Sequence, residues 1–503
     1  MCDSACKSSE NCCSSIELPV LKPCIPIPIP EEQLIDVIDK AKDWALMHGA
    51  AMRSKVNFNP DAMQFAPFVL VPSSFPRKEF EKAVKLQPIL NELMHKVAHD
   101  TEFLMSTLAN TIQVDEFTGN LFRIYENILE NGSTQPISLG LFRSDLMLES
   151  CCPDENASPA AYCCWKQVEI NSIASGFGHL GPISRALQSY VLHELNHGDK
   201  VADLPENPAL TGLCNGMIEA WKIRGKPNAA ILFIVEDVTY NICDQRFHEF
   251  QIRETNPAIR VIRKSLSEIH REAKLGPEKE LLVGDIEVSV IYFRAGYEPG
   301  HYPTQNEWDA RLLMEKSLAI KCPSIHYHLA GTKKVQQALA KPGILKRFLD
   351  NDEKIEAVKE IFTGLYSLDA NEEGEEAVAR ALKNPEKYVL KPQREGGGNN
   401  IYGQDIPSAL KKMNPTERSA WILMERIFPP VSKGYIIRPG DSELPKVADL
   451  VSELGIFGAI IGDKDRILYN HQVGHMLRTK LSTVNEGGVA AGHGALDSPY
   501  LID

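Results

Sequence analysis

The first half of the chain has a mostly helical pattern of apolar residues. Soon after residue 31, apolar side chains recur at helical spacing and share one face: Ile35, Val37, Ile38, Ala41, Trp44 and Ala45. Segments of this kind continue to about residue 226. The pattern predicts a largely helical region from residue 31 to residue 226, into which a short strand-rich segment is inserted.

The strand-rich segment contains two predicted strands. One covers Ile137–Phe142 and leads into Arg143-Ser144-Asp145, and the next covers Gln167–Asn171. Apolar and polar residues alternate in the second strand, so Glu169 and Asn171 lie on the same face. The segment therefore presents two oxygen-bearing side chains side by side. The plain alternative for this pair is a solvent-facing strand surface.

A different pattern begins near Pro227. Ala229–Val235 is a continuous apolar run, which is typical of a strand buried in a parallel sheet. Val261–Arg263 and Val288–Arg294 have a similar character, and helical segments separate the runs. Alternating strands and helices predict a small open parallel sheet covered by helices. We place this unit at residues 227–331.

The last third of the chain contains a glycine-rich loop directly after a predicted strand. The strand is Tyr388–Leu390, and Lys391–Asn400 follows with three consecutive glycines. Glycine leaves backbone N–H groups open to close approach by an anion. Lys391 and Arg394 add positive charge, and Glu395 adds a carboxylate that suits a divalent cation. For the glycines alone, an ordinary surface loop is the alternative.

Further strands and a small-residue loop follow. Strands are predicted at Trp421–Ile427, Ile436–Arg438 and Gly455–Gly462, and the first has the apolar character of a strand beside an adenine ring. Arg478-Thr479-Lys480 places two cations on one strand face. Glu486–Ala495 is rich in small residues and predicts a mobile loop. The sequence contains neither a Walker loop nor a dinucleotide-binding glycine motif.

The composition is that of an ordinary globular protein. Of the 503 residues, 43% are hydrophobic and 24% are charged, and the length allows two or three core-forming units. The formal net charge of −13 disfavours nucleic acid and anionic membranes as partners. The chain has no apolar run of 18 residues, and its N-terminal segment lacks the apolar core of a signal peptide. We therefore expect a cytoplasmic protein.

The 12 cysteines are expected to be thiols in that compartment. Residues 1–30 are rich in cysteine and polar residues and end in a proline-rich stretch, which predicts a disordered tail. Two further cysteine pairs lie ten residues apart in a loop and can ligate zinc or form a disulfide, although an ordinary loop insertion is favoured: Cys151, Cys152, Cys163 and Cys164.

His193-Glu194-Leu195-Asn196-His197 matches the H-E-x-x-H zinc motif, in which two imidazoles lie one helical turn apart. A zinc protease also needs a third ligand. Glu206 and Glu219 are available for that role, but neither lies in a diagnostic sequence. We favour a helix with two surface histidines that ends at Gly198.

Together these segments resemble the eukaryotic glutathione synthetase family, which is part of the ATP-grasp superfamily. The resemblance spans nearly all of residues 31–503 and is carried by six segments: Arg143–Asp145, Gln167–Asn171, Ala330–Gln337, Lys391–Asn400, Ser452–Gly458 and Gly474–Lys480. It implies an α/β fold with an ATP-grasp core, a lid and a small open parallel-sheet substrate-binding domain. It also implies a homodimer.

The resemblance assigns each part of the chain to a unit of that fold. Residues 31–226 would form the N-terminal part of the ATP-grasp core, and residues 227–331 the substrate-binding domain. Residues 332–503 would form the remaining ATP-grasp domain, with a lid at about residues 365–447 and a C-terminal Gly/Ala-rich loop. Residues 1–30 stay outside these units as the predicted tail.

The resemblance implies ATP-dependent ligation of γ-glutamylcysteine and glycine, with ATP and Mg²⁺ as cofactors. A carboxylate must be activated before an amine can displace its oxygen. Phosphoryl transfer from ATP gives an acyl phosphate, and the glycine amine then attacks the carbonyl, so ADP and phosphate are released. This chemistry needs no protein nucleophile; it needs positioning and charge neutralisation. The sequence identifies no base for the amine.

The resemblance also implies roles for individual residues. Charge neutralisation in catalysis would fall to Arg478, Lys333 and Lys391. The magnesium ligands would be Glu169, Asn171 and Glu395. The ATP site would consist of Glu169, Lys333, Lys391, Gln393, Glu395, Gly396, Gly397, Gly398, Asn399, Asn400, Tyr402, Met424, Glu425, Arg426, Ile427, Glu453, Lys480 and Glu486. The substrate contacts would be Arg143, Ile173, Ala174, Ser175, Gly176, Asn241, Gln245, Arg294, Tyr297, Arg478, Val489 and Ala490.

Several positions depart from the family pattern. Ala174 and Gly176 stand where hydroxyl residues are usual, Ala295 stands where an aspartate is usual, and His493-Gly494 replaces bulkier apolar residues. The nucleotide segments are unaffected, so the departures concern the peptide and the acceptor amino acid. Two alternatives follow: the same ligase chemistry with another acceptor, or a non-catalytic nucleotide-binding paralogue. The second is weakened because the expected metal ligands and phosphate-binding lysines are all present.

Overall fold

The computed structural model describes residues 19–55, 57–150, 164–395, 397–489 and 493–503. Helices and strands combine in a mixed α/β fold, which confirms the predicted class. The α-helices are α1 (Glu31–Met47), α2 (Arg77–Ala98), α3 (Thr101–Leu108), α4 (Thr111–Val114), α5 (Glu116–Asn131), α6 (Leu180–Glu194), α7 (Ala209–Arg224), α8 (Ile242–Thr255), α9 (Leu266–Glu272), α10 (Gln305–Glu315), α11 (Ile325–Ala330), α12 (Lys333–Leu339), α13 (Asp352–Ile361), α14 (Glu372–Lys383) and α15 (Asp405–Lys412).

The strands form several sheets. They are β1 (Ala51–Met52), β2 (Gln64–Phe65), β3 (Phe68–Val69), β4 (Ser73–Pro76), β5 (Ser138–Glu149), β6 (Cys164–Asn171), β7 (Ala230–Ile234), β8 (Val261–Lys264), β9 (Ala273–Leu275), β10 (Leu281–Val283), β11 (Ile286–Phe293), β12 (Ile320–Cys322), β13 (Leu365–Ser367), β14 (Tyr388–Pro392), β15 (Ile401–Tyr402), β16 (Trp421–Glu425), β17 (Ser432–Gly434), β18 (Ile436–Ile437), β19 (Ala448–Gly462), β20 (Ile467–Leu481), β21 (Gly494–Asp497) and β22 (Pro499–Ile502).

The largest sheet joins the two ends of the chain. Its strand order is β18-β3-β21-β20-β19-β5-β6, and β17 pairs with β19. Antiparallel pairing of β5 with β6 sets Arg143 opposite Asn171 and Asp145 opposite Glu169. β19 and β20 come from the C-terminal part of the chain, and β19 pairs with β5 over nine residues. Residues from distant segments are therefore neighbours on one sheet.

Both faces of this sheet are covered. Along β5, Leu139 and Leu141 pack in a cluster with α7, whereas Phe142 and Leu146 pack in the cluster that includes α2. Because side chains alternate along a strand, Arg143 continues the face of Leu139 and Leu141. The same face is thus apolar under α7 and becomes polar farther along β5.

The second large sheet corresponds to the predicted substrate-binding unit. Its order is β8-β7-β11-β10-β9, with β12 also paired to β11. The pairings among β8, β7, β11 and β12 are parallel, as the continuous apolar runs predicted. β9 and β10 are antiparallel additions. The sheet is therefore mixed, and the purely parallel sheet that we predicted is wrong, because the short β9–β10 hairpin pairs with the start of β11.

A smaller sheet has its own core within the region predicted to be the lid. The order is β13-β16-β14-β15, and α14 and α15 pack on it. Its buried apolar residues are Leu368, Ala377, Ala381, Tyr388, Leu390, Ile406, Leu410 and Leu423. Lys334 of α12 joins this unit to the larger part, because its Nζ donates to Ser367 Oγ at 2.9 Å and to Asp369 Oδ2 at 2.7 Å.

The N-terminal segment is packed where the sequence predicted a disordered tail. Leu21, Cys24, Ile25 and Ile29 are buried, and Val20 forms a bridge with Val431. The prediction is therefore wrong for residues 19–30, because apolar side chains between the prolines fill a groove of the fold. Residues 1–18 lie outside the described residues.

The H-E-x-x-H segment does not form a continuous helix. α6 ends at Glu194, so His193 is on its last turn and exposed, whereas His197 lies beyond its end. Our expectation that the helix extends to Gly198 is wrong, because the backbone turns earlier and a 3₁₀ helix begins at Gly198. Within the described residues, no set of three or more His, Cys, Asp or Glu side chains is arranged to hold a metal ion.

Two further sequence features can be placed. Cys164 is buried at the start of β6, and the other three cysteines of its group lie outside the described residues. None of the helices in the described part of the chain has the length and apolar character that a membrane crossing requires.

Candidate active site

Lys333 lies between two carboxylates that come from different elements. It is the first residue of α12, and its Nζ is 3.1 Å from Oε2 of Glu169 on β6. The same Nζ is 2.7 Å from Oε1 of Glu395, which follows β14. Lys333 is almost completely buried. The fold thus brings three of the predicted site residues into direct contact.

These three charges shift one another's pKa values. Burial raises the pKa of Glu395 to about 7, although Lys333 opposes the shift. Burial also disfavours ionisation of Glu169, but the positive charges of Lys333, Lys391 and Arg478 outweigh it and hold the pKa of Glu169 well below its usual range. The two carboxylates keep Lys333 protonated by raising its pKa against the effect of burial. Glu169 is therefore ionised at neutral pH, whereas Glu395 takes up a proton at a higher pH than an ordinary glutamate.

Asn171 completes a set of oxygen donors around this centre. It is two residues after Glu169 on β6, and its Nδ2 donates to Oδ2 of Asp145 at 2.9 Å. With the amide nitrogen held there, the amide oxygen remains available as an acceptor. Two carboxylates and an amide oxygen are ligands that suit Mg²⁺. The residues present therefore fit the magnesium site that the resemblance implies.

A narrow cavity opens beside this centre. Its apolar walls are Val168, Phe362, Leu365, Ile422 and Met424, and its polar lining is Gln167, Lys333, Gln336, Thr363 and Lys391. The cavity measures about 10 Å³ in this structure, which is room for about one water molecule, so a nucleotide base can enter only if the apolar walls move apart. The strand Trp421–Ile427, which the sequence placed beside an adenine, supplies part of the wall as β16.

Lys391 is held at the border of this cavity. Its Nζ donates to the backbone oxygen of Val168 at 2.9 Å, across 223 positions of sequence. Burial lowers the pKa of Lys391, whereas Glu169 raises it. The contact fixes the position of the ammonium group, while further N–H bonds remain for a ligand.

Some predicted ATP-site residues use their side chains for structure. Oε1 of Gln393 accepts from the backbone N–H of Lys334 at 3.0 Å. Oε1 of Glu425 accepts from the Tyr366 hydroxyl at 2.7 Å. Arg426 donates to Asn485 Oδ1 at 3.1 Å. Ile427 is half-buried after β16. These residues shape the rim of the site, and the backbone N–H groups of Glu425 and Arg426 are also used, since they donate to the oxygens of Gly364 and Lys387.

The glycine-rich loop is joined to the small-residue loop by Glu486. The carboxylate of Glu486 accepts from the backbone N–H of Gly398, and its Oε1 accepts from the N–H of Asn400 at 3.2 Å. Gly397 and Gly398 have φ values of 72° and 78°, which favour glycine. The N–H groups of this loop therefore already bind an anionic group.

Two asparagine side chains form hydrogen bonds at the C-terminal end of the glycine-rich loop. Asn399 Nδ2 donates to the oxygen of Gly397 at 3.0 Å, and Asn400 Nδ2 donates to the hydroxyl of Tyr402 at 3.3 Å. Gly396 and Ala490, which we predicted in the ATP and substrate sites, lie outside the described residues. Val489, which belongs to the small-residue loop, is buried and packs in a core cluster.

Asp145 is a functional residue that the sequence did not single out. It is fully buried, and its two oxygens accept from Arg143 Nε at 2.6 Å and Nη2 at 2.8 Å. It also accepts from Asn171, and Arg478 Nη2 is 3.7 Å away. The sequence did contain one indication of this role. Asp145 follows Arg143 by two residues on a predicted strand, and that spacing places the two side chains on the same face.

Arg478 and Lys480 lie on β20, as expected from their alternation. Arg478 Nη2 is 2.5 Å from Oε1 of Glu453, which is opposite it on β19. Lys480 Nζ donates to the backbone oxygens of Val484 at 2.7 Å and Asn485 at 2.6 Å. Burial lowers the pKa of Lys480 to about 8. Arg478 therefore borders the centre formed by Glu169, whereas Lys480 anchors the turn before Glu486.

The segment from Ile173 to Gly176 is held by two arginines. Arg143 Nη1 donates to the oxygen of Gly176 at 3.1 Å, and Arg294 Nη1 donates to the oxygen of Ala174 at 3.1 Å. Ser175 is buried and its hydroxyl donates to backbone oxygens, while Ile173 packs in the core. Of this segment, the substrate can therefore meet Ala174 and Gly176 rather than the other two side chains.

Asp244 is a second residue that the sequence analysis missed. Its Oδ2 accepts from the N–H of Phe177 at 2.8 Å and lies 3.3 Å from Arg294 Nη2. Its Oδ1 accepts from the N–H groups of His179 and Leu180. Burial opposes its ionisation, but Arg294 and these donors lower its pKa overall. Asp244 thereby connects the substrate unit to the segment before α6.

The remaining predicted substrate contacts lie on the substrate unit. Gln245 Nε2 donates to Asn241 Oδ1 at 3.0 Å at the start of α8. Tyr297 follows β11 and Arg294, and its ring meets the ring of His301 edge-on at 4.6 Å. Burial and the charge of Glu236 raise the pKa of Tyr297. Asn241, Gln245, Arg294 and Tyr297 thus cluster near the carboxyl ends of β7 and β11, where parallel sheets bind ligands.

Comparison with known proteins adds independent findings. The sequence matches the family described as eukaryotic glutathione synthase, ATP binding domain, over residues 31–501. It is 43% identical over 465 residues to glutathione synthetase of Xenopus laevis, covering 92% of this chain and 96% of that protein. It is 41% identical over 475 residues to glutathione synthetase of Homo sapiens, covering 94% of this chain and 98% of that protein.

A solved structure is similar over the whole fold. It is described as a glutathione synthetase like-effector from Globodera pallida in its apo form. The two sequences are 26% identical, the TM-score is 0.76, and the match covers 96% of this chain and 100% of that chain.

Proposed function

This chain belongs to the eukaryotic glutathione synthetase family, and we infer that it joins γ-glutamylcysteine to glycine at the expense of ATP. Members of this family have an ATP-grasp core and are ATP-dependent carboxylate–amine ligases, and the same holds for this protein. The observation that supports the activity most directly is the contact of Lys333 with both Glu169 and Glu395. Three segments of sequence must fold together to form it, and all three carry the expected residue.

The proposed reaction has two steps. The cysteine carboxylate of γ-glutamylcysteine attacks the γ-phosphorus of ATP, and ADP leaves. The glycine amine then attacks the acyl carbon, and phosphate leaves with the electrons of the C–O bond. Lys333, Lys391 and Arg478 stabilise negative charge on the transferring phosphoryl group and on the carbonyl oxygen. Removing one such contact typically costs about 10²–10³ in rate.

The nucleotide is proposed to lie in the cavity beside Lys391. With the walls of this cavity moved apart, the base would pack between Met424 and the apolar residues opposite it, and the phosphates would extend toward Lys333 and the glycine-rich loop. In this structure the Glu486 carboxylate accepts hydrogen bonds from the backbone N–H groups of Gly398 and Asn400. A phosphate that binds the same N–H groups must displace the Glu486 carboxylate.

Glu169, Asn171 and Glu395 are proposed to hold magnesium. When bound, Mg²⁺ offsets the charge of the phosphates and orients them. Lys333 holds the two carboxylates in place before that, and the raised pKa of Glu395 means that this carboxyl gives up its proton as the cation binds. The region at residues 365–447 is proposed to act as a lid that keeps water from the acyl phosphate.

The acceptor and the donor are proposed to contact the positions that depart from the family pattern. Ala174, Gly176 and His493 lie in segments assigned to substrate. A ligase with the same chemistry and another acceptor is therefore the second candidate. A panel of amino acids at fixed ATP and γ-glutamylcysteine separates the two, and a poor rank for glycine would favour the second.

Assembly and compartment are further proposals. We propose a homodimer on the basis of the family, and sedimentation at several concentrations tests it. We also propose a cytoplasmic location; relatives from Solanum lycopersicum and Arabidopsis thaliana are described as chloroplastic, so imaging of the tagged protein is the direct test.

The activity itself is tested by ADP release. The purified protein should release ADP only when both γ-glutamylcysteine and glycine are present with ATP and Mg²⁺. Equal release in the absence of either substrate would contradict the proposed function.

A further inference from the structure

Glu236 is an acidic residue at the edge of the substrate unit that the mechanism above does not use. It follows β7, and Arg294 follows the adjacent parallel strand β11. The N–H groups of Arg294 and Ala295 both donate to the oxygen of Ile234, at 2.8 and 3.1 Å. Glu236 and Arg294 therefore emerge side by side at the carboxyl edge of the sheet, where α/β folds bind ligands.

The carboxylate of Glu236 is only partly used. Its Oε2 is buried and has no hydrogen-bond partner within the described part of the chain. Its Oε1 is 4.0 Å from Nε2 of His301, and the side chain is 26% exposed. A buried carboxylate oxygen without a donor costs free energy, so the position favours a ligand that supplies an N–H bond.

His301 does not neutralise this charge. Its Nδ1 accepts from the N–H of Gly296 at 3.1 Å, so the neutral ring carries its proton on Nε2. Burial lowers the pKa of His301, although Glu298 and Glu236 oppose the shift. The ring is therefore neutral at pH 7 and adds no positive charge beside Glu236.

The cations nearby are already paired. Arg294 Nη2 is 3.3 Å from Asp244, and Arg263 Nη1 is 2.6 Å from Glu249. Asp244 is fully occupied, because it also accepts three backbone N–H groups. Arg294 and the Tyr297 hydroxyl also interact with Glu236. Of the acidic groups at this edge, Glu236 is nevertheless the one in the described residues that has no ion pair with a lysine or arginine and has a buried oxygen without a hydrogen-bond partner.

We propose that Glu236 binds the α-ammonium group of the γ-glutamyl donor and makes the enzyme selective for donors with a free amine. The proposal rests on the proposed function. γ-Glutamylcysteine carries one ammonium group, at the end opposite the carboxylate that reacts. The reacting carboxylate must approach Lys333, so the ammonium end extends away from it, toward the substrate unit. Tyr297, a predicted substrate contact, lies beside Glu236.

Two donors test the proposal. γ-Glutamylcysteine and glutarylcysteine have the same length and differ only in the α-amine. The value of kcat/KM is measured for each donor, at saturating ATP and glycine, in the unmodified protein, in Glu236→Gln and in Asp237→Asn. Asp237 is an exposed neighbouring carboxylate and serves as the matched control.

We expect the unmodified protein and Asp237→Asn to prefer the amine donor by about 10- to 100-fold, which corresponds to one charged hydrogen bond. In Glu236→Gln the preference should fall to about threefold or less, while KM for ATP stays unchanged. A full amine preference in an active Glu236→Gln overturns the proposal. Equal use of both donors by the unmodified protein also overturns it, whether or not the variant folds.

The same assay separates this proposal from the function on which it rests. Absence of ADP release by the unmodified protein with either donor refutes both. Release with γ-glutamylcysteine, together with an unchanged preference in Glu236→Gln, refutes only the role of Glu236.

Discussion

Asp145 and Arg143 form a two-point ion pair on the polar face of the largest sheet, with Nε–Oδ1 and Nη2–Oδ2 distances of 2.6 and 2.8 Å. The same Asp145 oxygen that meets Nη2 accepts from Asn171 at 2.9 Å. One buried carboxylate thus orients a predicted substrate contact and a predicted metal ligand. Arg478 Nη2 is 3.7 Å from the same oxygen, so Asp145 also attracts a predicted catalytic residue.

Asp145→Asn should therefore reduce both stability and activity. The change leaves the buried Arg143 guanidinium without its counter-charge, which typically costs about 3–5 kcal/mol of unfolding free energy. Chemical denaturation measures that loss, and ADP release measures turnover. Wild-type stability in this variant would contradict the ion pair that the structure shows.

A double variant separates the structural role of this pair from its functional role. Replacing both partners with apolar residues of similar size, as in Arg143→Met with Asp145→Leu, should recover much of the lost stability, because no unpaired charge remains. Activity should stay low, since the arginine and the oxygen that orients Asn171 are both gone. Recovery of activity along with stability would mean that the pair serves packing alone.

Lys391→Met should weaken ATP use without unfolding the protein. The methionine can fill the buried space of the lysine stem, but it cannot donate to a phosphate or to Val168. We expect kcat/KM for ATP to fall by about 10²–10³. Lys412→Met, on the exposed surface of α15 in the same part of the chain, is the matched control and should behave as the unmodified protein.

Glu395 should make magnesium–ATP binding release protons near neutral pH. Burial raises the pKa of Glu395 to about 7, so part of the ligand-free molecules hold a proton there near neutral pH. The ligand requires the ionised form, so binding should release a fraction of a proton near pH 7 and weaken as the pH falls below 7. At pH 8.5 the release should nearly vanish.

Calorimetry in two buffers of different ionisation enthalpy measures this proton release. Glu395→Gln has no proton to lose at that position and should show a smaller difference between the buffers. An identical difference in the variant and the unmodified protein would assign the proton to another group.

Gly176→Ser should fold normally and bind the donor more tightly. A Cβ at this position would be 3.4 Å from Asp244 Oδ2 and 3.7 Å from Arg294 Nη2, which is ordinary contact. Asp244 is already fully occupied, so the new hydroxyl is left to exchange a hydrogen bond with the substrate. We expect KM for γ-glutamylcysteine to fall by about 2- to 10-fold, which corresponds to one hydrogen bond. Steady-state kinetics with each substrate varied in turn shows whether the effect is confined to the donor.

Short-range patterns in the sequence were enough to identify the local elements and the chemical types of the site residues. Alternation on β6 placed Glu169 and Asn171 on one face, and the continuous apolar run before Glu236 gave the buried parallel strand β7. These features depend on the side-chain period of a strand, which is readable within a few residues. The resemblance to a family then supplied the reaction, since the motifs are spread over nearly the whole chain.

Which of these groups come into contact depends on the packing of distant segments. Lys333 contacts Glu395 across 62 positions, and Lys391 contacts Val168 across 223 positions, through strand pairing and helix packing that no local pattern specifies. Asp145 became a site residue only when β5 paired with both β6 and β19. The N-terminal segment was misjudged for the same reason: its apolar residues are buried by parts of the chain far away in sequence, and local composition does not contain that information.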